Sequence, residues 1–233
     1  YNLSAKFGII LLLGTPSLGG FMFETLMSKT FIILTASLTV AWLACMFAAR
    51  LFNRAVQMQD YQVVKRYTTF ALIANIGAFL LLLFMRTAFP FNMLLMALFT
   101  QAAALVWAFI SYNDTAQKAL SLTVITTFLT GLIAMYSGLD FAWMGKFLFI
   151  ALIILVIYSL IRIFVRIRGQ KFMAALGVLI FTGYLLFDFN RLAKLKAVAD
   201  ANNWDTALNF AISIYLDIIN LFISLMNLMS SNN

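Results

Sequence analysis

The stretch T-A-L-N-F-A-I-S-I-Y-L-D-I-I-N-L-F-I-S-L-M-N-L-M, Thr206 to Met229, decides the fold. Its polar residues are Thr206, Asn209, Ser213, Asp217, Asn220, Ser224 and Asn227, in steps of three, four, four, three, four and three. That spacing is one face of an α-helix. The other faces carry Ile, Leu, Phe and Met, the reverse of a surface helix on a soluble protein. Such a helix belongs in an apolar setting and turns its polar stripe toward other helices or a watery cavity. Asp217 is the only ionisable group in the stripe. A carboxylate at the centre of a bilayer costs about 2.5–3.5 kcal/mol on insertion scales, so it requires a partner or a purpose.

The rest of the chain is of the same kind. Of its 233 residues, 64% are hydrophobic and 10% charged, with a mean hydropathy of +0.99. A soluble domain is nearer half apolar and a quarter charged, so the chain reads as an integral, polytopic membrane protein of the all-α class. Apolar segments run about 30–50, 67–86, 91–112, 118–138, 144–165, 171–190 and 206–229. Each is about 20 residues, the length that crosses a bilayer core, which gives a seven-transmembrane-helix bundle. Stretches 51–66 and 191–205 read as the longer loops. Residues 30–233 form a single membrane domain. Residues 1–29 are an apolar N-terminal segment broken by G-T-P-S-L-G-G at 14–20, expected to be interfacial or partly inserted rather than one straight span. The chain opens at Tyr1 rather than Met, so further residues are expected upstream.

The inventory limits the chemistry. There is no histidine, one cysteine (Cys45) and one glutamate (Glu24), which removes histidine-ligated zinc, a Ser-His-Asp triad and an internal disulfide. With no catalytic constellation visible, no enzyme activity is expected, and no resident cofactor. An intramembrane aspartyl protease would need a G-x-G-D stretch, but Asp188 follows Phe187 and Asp217 follows Leu216. The net charge of +8 lies in loops, where basic residues set topology and touch lipid headgroups, and it forms no nucleic-acid patch. The side holding Arg50, Arg54, Lys65, Arg66, Arg166 and Arg168 is more basic than the side holding Lys29, Arg86, Lys146 and Arg191, so the charge rule puts the former in the cytoplasm.

Three ionisable groups lie at membrane depth. Asp188 sits about eight residues, or about 12 Å, from a turn near 197–205, and Asp217 lies eleven residues, or about 16 Å, beyond Thr206. Antiparallel neighbours would hold the two carboxylates at similar depth. Arg86 enters from the same side, and Asn75 shares its helix face three turns earlier. One reading is a salt bridge that keeps three helices in register. The other is a proton- or cation-responsive pair, because two carboxylates in one site cannot both ionise cheaply and titrate as a unit. Such a pair can also bind a hard cation through oxygen. Ser213, Asn220 and Ser224 would extend a polar path from it. Gly131, Gly138 and Gly183 are expected at close helix contacts, and Asp205 is expected to cap the last helix.

The stretch S-I-Y-L-D-I-I-N-L-F-I-S-L-M at 213–226 resembles the last-helix signature of the Bax inhibitor-1, or transmembrane Bax inhibitor motif, family. G-Y-L-L-F-D-F-N-R at 183–191 is similar to its sixth helix, and D-F-A-W-M-G-K-F-L-F-I-A-L-I at 140–153 to the start of its fifth. The resemblance covers about 30–229. It implies a seven-helix bundle with the C-terminal helix at its centre. In the bacterial members, an aspartate pair on helices six and seven is a pH-sensing latch for calcium leak. Asp188 and Asp217 fall on those positions, and Arg86 on an arginine that pairs with the latch. Asn75 stands where some of those members carry a glutamate, one acidic group fewer on the path. The resemblance implies pH-sensitive passage of Ca²⁺, as permeant or bound ion at Asp188 and Asp217, in a bacterial inner membrane. It puts the Arg86 side in the cytoplasm, against the charge rule. The alternative is a non-conducting regulator of a membrane protease or death pathway, with the bilayer and unknown membrane proteins as partners.

Overall fold

Hydrophobic windows end where charges begin, but a helix does not. The structure, a computed structural model, describes residues 25–58, 60–85, 90–108, 114–164, 169–195 and 198–230. Seven α-helices lie among them: α1 Leu26–Gln57, α2 Tyr61–Phe84, α3 Phe91–Ala108, α4 Asp114–Tyr136, α5 Met144–Phe164, α6 Gln170–Leu195 and α7 Trp204–Ser230. A short 3₁₀ turn, Ala199–Ala201, precedes α7. Arg86 and the prefix 1–24 lie outside the described residues. No strand occurs among the described residues.

The stretch 51–66, expected as a loop, is mostly helix. It contains no Gly or Pro to interrupt the backbone hydrogen bonds, so α1 continues to Gln57 and α2 begins at Tyr61. Asp60 caps α2, its carboxylate accepting from the Val63 N–H at 3.1 Å. In the same way α6 runs on through Arg191 and Lys194 to Leu195. At the other end of the chain, α1 starts at Leu26, inside the segment 1–29.

Five of the helices hold stretches long and apolar enough to cross a membrane: Leu26–Ala44, Thr115–Tyr136, Met144–Ile161, Gln170–Leu195 and Trp204–Met229. In α3 the apolar stretch is shorter, Phe91–Gln101. The surface of the bundle is correspondingly apolar. Phe70, Ile73, Phe84, Phe128, Phe147, Phe149 and Leu179 are all exposed, while Thr30, Thr100, Thr123, Thr130, Asp188, Asn190 and Asp217 are buried. Large apolar side chains outside and polar ones within is the pattern of a protein whose solvent is lipid.

Burial assigns the centre. In the spanning window of α7 56% of residues are buried, against 6% in that of α5. α7 packs against α6, α1 and α4, and its apolar faces are covered as well as its polar stripe: Ala207, Leu208, Ala211, Ile214, Tyr215 and Leu221 are all buried. An apolar helix with a polar stripe is thus not a lipid-facing element here. Its neighbours cover it except along one edge, where Ile223 is exposed. α5 lies at the edge, packed chiefly on α6, and α2 rests on α3 and α1. An aromatic chain ties this outer pair to the centre: Phe79 of α2 meets Phe99 of α3 at 5.7 Å, and Phe99 meets Tyr215 of α7 edge-on at 5.8 Å.

Small residues set the closest approaches. A side chain at Gly183 of α6 would fall 2.7 Å from Leu148 of α5, and one at Gly131 of α4 would touch Phe189 at 3.5 Å. Gly138 plays another part than the expected helix contact. Nothing lies within 4 Å of its missing Cβ, and its φ of +71° shapes the turn after α4.

Candidate functional site

The site lies where α6 and α7 run against each other. Asp188 is 7% exposed and Asp217 8%. The two carboxyl groups approach closely enough for a side-chain hydrogen bond between them. The matched depths have a simple origin, since two antiparallel helices leaving one short connection advance equally per residue. Asp217 Oδ2 is buried and accepts no hydrogen bond among the described residues. Leu185 and Phe189 of α6 and Ile214 and Leu221 of α7 belong to the hydrophobic core.

Tyr184 belongs to the same neighbourhood. It precedes Asp188 by one helical turn on α6 and is half-buried. Residue typing alone did not single it out. The signal available was the i, i+4 spacing of Tyr184 and Asp188 on one helix.

The other expected site residues are distributed. Ser213 is half-buried one turn before Asp217. Asn220 and Ser224 continue the stripe in the opposite direction, with Asn220 half-buried and Ser224 buried. Asn75 is not brought to the pair. It sits on α2 and donates to the Phe99 carbonyl of α3 at 3.5 Å. Arg86 lies outside the described residues, so the site is described without it. Asp205 does not cap α7. Asn203 does, its Oδ1 accepting from the Thr206 N–H at 2.8 Å, while Asp205 Oδ1 accepts from Asn92 Nδ2 at 2.9 Å. The helix starts at Trp204, two residues earlier than the apolar pattern, so the capping role falls to the residue before it.

Further contacts tie α6 to α4 and the connection after it, and α1 to the start of α7. Asn190, two residues beyond Asp188, is buried and faces the connection between α4 and α5. Its Nδ2 donates to the Ala134 and Leu139 carbonyls at 3.2 and 3.0 Å, and its Oδ1 accepts from the Phe141 N–H at 3.2 Å. Lys194 pairs with Asp140 of that connection. Near the start of α7, Lys29 of α1 donates to Asn202 O and Oδ1 at 2.9 and 3.1 Å, and its ammonium lies 5.7 Å from the Trp204 ring centre.

Among the described residues there is no group of three or more metal-ligating side chains. The pair offers two carboxylates, whereas Ca²⁺ takes six to eight oxygens.

Residues 23–233 match a family described as "Inhibitor of apoptosis-promoting Bax1". The chain belongs to this Bax inhibitor-1 family. It is 37% identical to Protein LIFEGUARD 4 of Arabidopsis thaliana over 147 residues, covering 60% of this chain and 57% of that protein. With Protein LIFEGUARD 1 of the same plant it shares 31% identity over 150 residues, 61% of each. An uncharacterized protein of Helicobacter pylori is 29% identical over 179 residues, 73% of this chain and 75% of that one. The chain thus spans about six tenths of the length of the plant relatives it matches. Both quoted aspartate motifs, 183–191 and 213–226, lie inside the family match.

Proposed function

We propose that this Bax inhibitor-1 family member passes Ca²⁺, or another cation, down its gradient in a pH-sensitive way, with Asp188 and Asp217 as sensor and gate. One observation carries the reading: two buried carboxyl groups in contact on the central helices. A hydrogen bond from carboxyl to carboxyl requires a proton on one of them, so the contact is a proton-dependent tie between α6 and α7. With that proton lost, two negative charges a few ångströms apart in a poorly solvated place repel strongly. With a second proton gained, the ionic acceptor disappears. The closed arrangement is favoured between those two events. The stripe residues Ser213, Asn220 and Ser224 supply polar rungs beyond the pair, and Asp217 Oδ2 is an acceptor that an entering cation meets. The reading includes no enzymatic step. A bacterial inner membrane is the proposed setting, supported by the extended match to the Helicobacter protein.

A second reading follows from the family description itself, an inhibitor of apoptosis-promoting Bax1. In it the chain conducts nothing and acts by contact with other membrane proteins. Calcium flux into liposomes containing only this protein, measured across pH beside Asp217→Asn, separates the two. Flux with a pH optimum that the variant lacks supports conduction, and no flux at any pH supports regulation.

A further inference from the structure

The tip where α1 turns into α2 gathers positive charge at one depth. Between 45 and 66 the chain holds four cations, Arg50, Arg54, Lys65 and Arg66, and one carboxylate, Asp60. In a loop these side chains would have no fixed level, but as helix they do. α1 starts at the far end of the bundle, where Lys29 meets Asn202. A bilayer core about 30 Å thick takes about 20 residues of helix from there. That puts Arg50 at the opposite boundary of the core and Arg54 about 6 Å further out. α2 returns after the short connection at 58–60. Counted back from that connection, Lys65 and Arg66 come to levels between Arg54 and Arg50. All four thus fall within a band about 6 Å deep. One headgroup layer is about as thick, since the whole bilayer measures about 40–45 Å.

The four side chains are exposed. Asp60 is turned to the start of α2, its carboxylate accepting from the Val63 N–H, and the stretch keeps a net charge of +3. The connections 109–113 and 165–168, which join helices at the same end of the bundle, contain no Asp or Glu. Asp114 opens α4, which packs on α6 and α7, and Glu24 precedes the opposite end of α1. The counter-charge for the tip therefore comes from outside these 233 residues.

What lies beneath the cations decides its kind. On α1, Phe47, Arg50 and Arg54 follow in steps of three and four, and on α2 Arg66, Phe70 and Ile73 in steps of four and three. Each set is one helix face. Phe47, Phe70 and Ile73 are 65%, 66% and 65% exposed. On each helix, then, the charges stand one turn above bare hydrocarbon at the edge of the apolar core. A soluble acidic protein or a nucleic acid would meet the charges and not the rings. A phospholipid meets both, phosphate above and chain below. The cations come as a pair on each of two helices in contact, typically about 8–10 Å axis to axis, and guanidinium groups bind phosphate through paired N–H donors.

We infer that the α1–α2 tip binds an anionic phospholipid with two phosphates, of the diphosphatidylglycerol kind. One phosphate lies at Arg50 and Arg54, the other at Lys65 and Arg66, with acyl chains against Phe47 and Phe70. Two phosphates joined by one glycerol engage both helices at once, so the second contact forms at high effective concentration. The site is apart from the aspartate pair and stands whether or not the protein conducts.

Native mass spectrometry of the full-length protein in detergent, titrated with diphosphatidylglycerol, tests this. The protein should retain that lipid in preference to phosphatidylcholine, and to phosphatidylglycerol supplied at equal total charge. A cation facing an anionic surface is worth about fivefold in affinity. Arg50→Gln with Arg54→Gln, or Lys65→Gln with Arg66→Gln, should therefore each weaken binding about ten- to thirtyfold. Arg50→Lys with Arg54→Lys keeps the charge and should keep most of the binding. Lys118→Gln with Lys171→Gln removes two exposed cations from the same end of the bundle, on α4 and α6, and should leave binding unchanged. Equal weakening by that last pair would mean general attraction to a basic surface and would overturn the site. Equal retention of phosphatidylglycerol would overturn the two-phosphate occupant. Full binding by a variant lacking all four tip cations would overturn the contact itself.

Discussion

Single side chains in this bundle matter most where they satisfy backbone groups that lipid cannot. Asn190 is the clearest case, because one amide serves three backbone groups, one in the last turns of α4 and two in the connection to α5. Asn190→Ala would leave them without that partner. An unsatisfied buried group costs about 1–3 kcal/mol, so a loss of at least about 2 kcal/mol is expected, read as a lower unfolding midpoint in detergent. The variant should also blur the gate, because Asn190 is two residues from Asp188 on the same helix. Asp140 makes a gentler case. The hydrogen bond from Lys194, then the N–H of Ala142, holds its carboxyl below the ordinary 3.8, although the group is fully exposed. A value lower in the folded state means that the tie contributes fully above the unfolded value and is lost as pH falls through the folded one. Between pH 5 and 8 it is therefore constant, and it cannot be the source of pH dependence in that range. In Lys194→Ala the Asp140 carboxyl should titrate back toward 3.8, as carboxyl NMR would report. An unmoved titration would show that Lys194 is not its main partner.

At the scale of elements, the contact between α6 and α7 is set by what one helix lacks. A Cβ on Gly177 would come within 2.4 Å of Ser224 Oγ and 3.1 Å of its Cβ. Moving the Ser224 hydroxyl aside breaks its hydrogen bond to the Asn220 carbonyl, and its Cβ is fixed to the α7 backbone. Gly177→Ala should therefore push α6 from α7 and destabilise by about 1–3 kcal/mol, the usual cost of overpacking, despite alanine's better helix propensity. Pairing it with Ser224→Ala removes the nearer atom and leaves the 3.1 Å contact, so the double variant should recover part of the loss. Thermal unfolding of the four proteins in one detergent measures this. Additive effects would mean that the two residues do not meet. The same comparison bears on the gate, since separating α6 from α7 also separates Asp188 from Asp217. The neighbouring approach of Gly183 to Leu148 sets how closely α5 packs on α6.

For the whole molecule, the function proposed above requires the pair on α6 and α7 to turn proton occupancy into helix separation. Flux should be lowest where the pair shares one proton. Raising pH past the loss of that proton should increase flux by repulsion, and lowering it past a second protonation should do so by removing the charged acceptor. Asp217→Asn can donate an amide hydrogen to Asp188 without any titrating proton, so its flux should be nearly flat with pH. If Asp188→Asn and Asp217→Asn both retain the wild-type pH profile in liposomes, the two aspartates are structural and the sensor lies elsewhere. The sequence by itself determined the membrane class, the helices, the polar stripe of α7 and the common depth of Asp188 and Asp217, because hydropathy, a 3.6-residue period and a rise of about 1.5 Å are local properties of one chain segment. It did not determine where charged helices end, since Arg54 and Lys194 lie in helices that an apolar window cuts short. Nor did it reveal the burial of α7 on all sides but one edge, the turn from Asn75 to α3 or the three-way clamp at Asn190. Those depend on which helix lies against which, and the same polar spacing on α7 would serve a stripe facing water, lipid headgroups or another helix. Only the packed bundle, by covering every side of α7 but one edge, decided that Asp217 meets Asp188 and that Ser224 meets a glycine.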